Sequence, residues 1–141
     1  MLEHELTFRV LYSDTDKMGY MYYGRYAKYL EMGRVELLRT LGLSYKLMED
    51  NGLIMPVLDL KLKYIKPLYY DEEIILKTKV TKRPSSRIHF EYELINPEGM
   101  LTTKAETTLV FVDRDTRKPC LIPDDFNQKV TLYFDEHLGE N

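Results

Sequence analysis

The sequence is poor in the residues that would announce a metal centre, a disulfide framework or a membrane anchor. Cysteine occurs once, as Cys120, which excludes an intramolecular disulfide and fits a reducing compartment. Cys120 also has no base beside it in sequence, so it reads as a half-buried thiol and not as a nucleophile. The three histidines, His4, His89 and His137, are scattered without zinc spacing. No stretch approaches the roughly 18 consecutive apolar residues of a membrane span. The opening MLEHELTFRV has neither a basic start nor an apolar run, so no signal peptide is expected. Positive charge is not in excess. With 20 Lys and Arg against 23 Asp and Glu, the net charge of −3 leaves no global basic signature for nucleic acid. No repeat, linker or low-complexity stretch divides the chain. Its 141 residues, 44% of them hydrophobic, therefore predict one domain over 1–141, placed in the cytoplasm.

What is present is alternation and one long helix. Leu6, Phe8, Val10 and Tyr12 alternate with polar residues, predicting a strand over 5–12. Helical spacing then takes over: Tyr26, Leu30, Gly33 and Leu37 share a face, and Gly42 ends the helix. Glu31–Arg34 and Glu36–Arg39 read as i,i+3 pairs on it, the first buried or at an interface. Ser44 caps a short second helix, Tyr45 to Asp50. Four strands follow, over 58–64, 74–80, 88–94 and 101–112, the later ones joined by short turns and hence antiparallel. Phe126, Val130 and Phe134 recur every four residues and predict a C-terminal helix. The class is α+β: an antiparallel sheet with one long helix on one face. The helix is apolar over much of its circumference, so a curved sheet should wrap it. Uncovered sheet edges and one helix flank predict a symmetric dimer.

The stretch DTDKMGYMYYGRYAKYLEMGR, Asp14 to Arg34, is where chemistry concentrates. Two acids one residue apart precede a helix start that carries five tyrosines between Tyr20 and Tyr29. A cation loop would need more oxygen ligands at short spacing, and Lys17 follows at once, so no metal site is expected. Asp14 suits a turn or cap, where an acid satisfies free N–H groups and opposes the helix dipole. Asp16 is too early to cap. Gly19 allows the loop to bend and bring Asp16 across to face the helix N-terminus. A carboxylate facing free N–H groups across a gap is the layout of a site for a polarised carbonyl. Tyr22, Tyr23, Tyr26 and Tyr29 read first as core or interface, with Tyr22 the one nominated to line a site. His89 falls on the outer face of its strand. Lys82, Arg83 and Arg87 cluster at a hairpin turn, as either an ordinary solvated turn or a phosphate contact.

The stretches YSDTDKMGYMYYGRY, YLEMGRVELLRTLG, PVLDLKLKYIKPLYYDEEI, AETTLVFVD and RKPCLIP together resemble the 4-hydroxybenzoyl-CoA thioesterase family of hotdog-fold proteins, in particular its YbgC-like branch. The resemblance runs from about Leu6 to Pro123 in order and spacing. It implies a curved antiparallel sheet wrapped around one long central helix, assembled as a homodimer or homotetramer. It also implies hydrolysis of acyl-CoA thioesters without metal or cofactor. The family's catalytic carboxylate falls on Asp16, and its carbonyl-polarising backbone N–H on Tyr23. The branch often has histidine where this chain has Tyr23, which leaves the backbone donor in place. The family's nucleotide-holding hairpin falls by position on Lys82, Arg83 and Arg87. A thioester is already electrophilic and thiolate leaves readily, so a carboxylate acting as nucleophile or general base suffices. Two other readings keep the same fold: an acyl-CoA-binding scaffold without activity, and a thioesterase acting on acyl carrier protein.

Overall fold

The computed structural model describes residues 1–134. In chain order these form β1 (Leu2–Arg9), α1 (Tyr26–Arg39), α2 (Tyr45–Asp50), β2 (Leu53–Ile54) and β3 (Val57–Tyr64). They continue through β4 (Glu73–Val80), β5 (Arg87–Ile95), β6 (Leu101–Val110), β7 (Val112–Asp113) and α3 (Asp124–Phe134). Five strands make one antiparallel sheet in the order β1-β4-β5-β6-β3, and β2 pairs with β7 in a small second one. The curved sheet around a long helix is the hotdog arrangement that the motif implied.

Period-two patterning builds the sheet. Ile74, Leu76 and Val80 of β4 and Ile88, Phe90 and Leu94 of β5 point to α1 and are fully buried. From the helix side Leu30, Leu37 and Leu38 meet them, each contributing roughly 2 kcal/mol of burial. Tyr29 stacks on Phe8 of β1, ring centroids 4.0 Å apart. Gly33 sits where α1 comes closest to β4. A Cβ there would lie 2.5 Å from Thr78 Oγ1, so only glycine permits this approach.

The edge strand β3 is different. Leu60 and Tyr64 pair with Thr107 and Thr103 of β6, whose side chains are buried, yet Leu60 and Tyr64 are 41% and 47% exposed. The helix rests on the β1 and β4 side of the sheet and leaves this flank open. An unpaired strand edge carrying exposed leucines is a surface that another chain can complete.

Three sequence expectations shift. The first strand runs over Leu2–Arg9 and not 5–12, because Leu2 to Glu5 already pair with Lys77 to Val80. Tyr12 leaves the sheet in a 3-10 turn, Tyr12–Asp14, and is solvent-exposed. The last long strand breaks at Phe111, which turns inward against Phe126 and lets Val112–Asp113 pair with β2. The Glu31–Arg34 pair does not form. Glu31 is exposed, whereas Arg34 is buried and donates to the Tyr92 hydroxyl at 3.2 Å. Glu36 and Arg39 do pair, at 3.3 Å. His137 lies outside the described residues.

Candidate active site

The two acids of the motif have opposite surroundings. Asp14 is 1% exposed. Its carboxylate accepts from Lys28 Nζ at 2.6 Å and from the Tyr29 hydroxyl, both on the first turns of α1. Burial opposes its ionisation. The hydrogen bonds from Lys28 and Tyr29, with the charges of Lys28 and Arg25, outweigh that and hold the carboxyl below the usual carboxylate range. The Tyr29 phenol is raised in turn, by burial first and by Asp14 second. Asp14 therefore caps nothing. Among the described residues no side chain accepts from the N–H groups at the helix start, and the acid instead ties the loop to the helix flank.

Asp16 is only partly buried. It opens a closed hairpin: its N–H donates to the Tyr20 carbonyl at 2.9 Å, and Thr15 bridges Met21. Its Oδ1 accepts from the N–H of Met18 at 2.8 Å and of Tyr20 at 3.4 Å, while Oδ2 has no partner among the described residues. Gly19 closes the turn at φ +83, a conformation that a side chain would strain. One carboxylate oxygen thus holds the loop, and the other is unpartnered among the described residues.

An open groove of about 390 Å³ lies beside this hairpin. Asp16, Met18 and Tyr20 form one side, and Tyr23 and Tyr26 of the helix start another. Tyr64 with the turn Ile65-Lys66-Pro67 completes it. Tyr23 begins a 3-10 turn, Tyr23–Arg25, that leads into α1. The Tyr22 N–H is taken by the Asp14 carbonyl at 2.7 Å. The Tyr23 N–H is the next along the chain and finds no acceptor among the described residues, as expected for the first residues of a helix. The Tyr64 hydroxyl donates to the Tyr23 carbonyl at 3.3 Å, and its ring meets Tyr26 edge-on at 5.0 Å. Burial pushes the Tyr26 phenol up to about 12 and raises Tyr64 as well, so both are neutral donors at physiological pH.

The structure brings Asp16 and Tyr23 into one groove and leaves other nominated residues outside it. Tyr22 packs against Tyr23, and its ring covers Gly24, so it does not line the groove. Gly19 shapes the hairpin without lining the groove. Lys82, Arg83 and Arg87 sit at the β4–β5 turn. In the β1–β4 pairing, Arg9 faces Glu73 at the motif end and Leu2 faces Val80 at the other. Seven residue steps of strand, roughly 23 Å, therefore separate that turn from the Asp16 end within one chain. Arg83 is tied to α3 through Thr131 at 2.8 Å and Asn127 at 3.4 Å. Lys66 is the cation that lines the groove. His89 is half-buried on the outer face, hydrogen-bonded to Thr108 and 3.5 Å from Glu106, and Cys120 is half-buried with its thiol raised by burial. Among the described residues no three His, Cys, Asp or Glu side chains gather into a metal cluster.

Sequence reasoning missed Tyr64 and Lys66 as groove residues. Tyr64 carried a signal: it stands last in the alternation Leu58, Leu60, Leu62, Tyr64, at the end of an edge strand where an aromatic has no layer to cover it.

Residues 10–130 match the Thioesterase-like superfamily. The acyl-CoA thioesterase YbgC of Haemophilus influenzae is 33% identical over 126 residues, covering 87% of this chain and 92% of that protein. A chloroplastic acyl-acyl carrier protein thioesterase of Arabidopsis thaliana is 27% identical over 129 residues, 89% of this chain and 66% of the relative. Among solved structures, a DHNA-CoA thioesterase from Staphylococcus aureus superposes with a TM-score of 0.82 at 34% identity, over 99% of this chain and 88% of the other. With that match spanning most of its length, the chain belongs to the thioesterase-like superfamily.

Proposed function

We propose that the chain, acting as one domain, hydrolyses acyl-CoA thioesters in the groove between Asp16 and the start of α1. The observation that carries this is the shared lining: Asp16, with one carboxylate oxygen unpartnered among the described residues, and Tyr23, whose N–H likewise finds no acceptor there, line the same open groove. The thioester carbonyl would accept from the Tyr23 N–H. Asp16 then acts in one of two ways. As a base it takes a proton from water as the water oxygen bonds the carbonyl carbon. As a nucleophile it bonds that carbon itself, and water later cleaves the mixed anhydride. In either path the C–S bond breaks and CoA leaves as thiolate, which takes up a proton. The oxyanion forms against the N–H donor and the helix dipole, a contribution on the order of 3 kcal/mol. Carrier protein in place of CoA is the second reading, favoured by the likeness to the chloroplastic enzyme.

The test is thiol release from short, long and aromatic acyl-CoAs and from acyl carrier protein substrates, with EDTA present. Steady turnover of at least one thioester is expected. A folded protein that binds acyl-CoA and releases no thiol would make it a scaffold.

We also propose a homodimer formed through β3. No helix among the described residues is long and apolar enough to cross a membrane, and the edge strand β3 leaves Val57, Leu58 and Leu60 exposed. Leu60→Lys places a charge on that edge and should convert dimer to monomer in light scattering at micromolar concentration. A parent that is already a fully active monomer would refute the dimer.

A further inference from the structure

We infer that Asp14 is a positioning residue for the reaction, setting where the Tyr23 N–H stands relative to Asp16. The inference rests on the thioesterase reading and adds a residue to it.

Asp14 is joined to the site by three bonds of two kinds. Its carbonyl takes the N–H of Tyr22 at 2.7 Å, which fixes the Met21–Tyr22 peptide, next to the one that carries the Tyr23 N–H. Its carboxylate takes Lys28 Nζ at 2.6 Å and the Tyr29 hydroxyl, which fixes the first turns of α1. Two residues on, the same strand of chain enters the hairpin that holds Asp16. One residue therefore clamps both halves of the site: the loop with the carboxylate and the helix start with the donor. Tyr29 is itself held, stacked on Phe8 of β1 with centroids 4.0 Å apart, so the clamp is referred to the sheet. Lys28 Nζ also lies 4.9 Å from the centre of the Tyr29 ring, a cation–π contact that joins the two donors to each other.

The carboxylate is specific to this task. It offers oxygens to two donors at once, and its buried charge is matched by the half-exposed Lys28. An amide keeps one acceptor oxygen, loses the charge that pairs with Lys28, and puts an NH₂ where the Tyr29 hydroxyl donates, so that bond must reverse or break. The helix start would then be free to drift from Asp16 by a fraction of an ångström or more. Misplacement on that scale costs turnover steeply and substrate affinity little.

The experiment compares kcat and KM for the parent, Asp14→Asn, Lys28→Met, Tyr29→Phe and the double variant Asp14→Asn/Tyr29→Phe, well below each melting temperature. Asp14→Asn should lower kcat by about tenfold to a hundredfold with KM changed less than about threefold. Tyr29→Phe keeps the ring stack and should lose about threefold to tenfold. The double variant should be no slower than Asp14→Asn alone, because both changes break one clamp. Should Asp14→Asn fail to fold, Lys28→Met and Tyr29→Phe carry the test. Folded variants with parental kcat would make Asp14 merely structural and overturn the inference. A parent without turnover on any thioester would overturn it together with the thioesterase reading.

Discussion

Asp16→Asn is expected to lower kcat for thioester hydrolysis by a factor of at least about a hundred while leaving the fold intact. The two parts of that expectation come from the two carboxylate oxygens. Oδ1 accepts from the N–H groups of Met18 and Tyr20, and asparagine keeps an oxygen in that place, so the hairpin survives. Oδ2 has no partner among the described residues and is replaced by an NH₂ group, which can neither take a proton from water nor attack a carbonyl. Circular dichroism and a thermal melt check the fold, and thiol release gives the rate. Asp14→Asn serves as the internal contrast. Its acid is buried and bound on both oxygens, so it should lose less turnover and more stability than Asp16→Asn. A folded Asp16→Asn enzyme with kcat within tenfold of the parent would remove Asp16 from the chemistry.

Tyr23→Pro should lose roughly a hundredfold or more in kcat, because proline deletes the N–H assigned to the oxyanion. The substitution is unusually clean at this position. Tyr22 has φ −61 and ψ 134, the extended conformation that a residue before proline prefers. Tyr23 is the first residue of its helical turn, where proline is well tolerated and no intrahelical bond is lost. Tyr23→Phe keeps the N–H and removes a hydroxyl from a ring that is 66% exposed, so it should stay close to the parent. Tyr23→His, the residue common in the YbgC-like branch, should change the ranking of acyl groups by kcat/KM. Its turnover on the best substrate should stay within about tenfold. If Tyr23→Phe loses as much as Tyr23→Pro, the phenol takes part in the chemistry and the backbone-donor account fails.

Much of this protein was legible in its sequence because the signals are local. Alternation over Ile74–Val80 and Ile88–Leu94 made strands, 3.6-residue spacing through Tyr26, Leu30 and Leu37 made the helix, and Ser44 marked a helix start by its own side chain. Asp16 and Tyr23, which line the groove, were also readable, since they stand seven positions apart on one stretch of loop and turn. Other features depend on contacts distant in sequence, which no periodicity encodes. Whether Asp14 or Asp16 is buried was decided by Lys28 and Tyr29 on the helix, whose side chains reach one acid and not the other. Arg34 went to Tyr92 rather than to Glu31, because its face of α1 turns onto β5 while Glu31 faces out. Tyr64 reached the helix start only because β3 joins the sheet beyond β6, at the end of an order that skips through the chain. Lys82, Arg83 and Arg87 were set apart from Asp16 by the length of one strand pair, a distance that becomes visible only once β4 is laid against β1. The sequence by itself determined the elements and nominated Asp16 and Tyr23, which line one groove. Only the tertiary structure decided which charges are buried and what surrounds the groove, because both depend on where the strands and the helix pack.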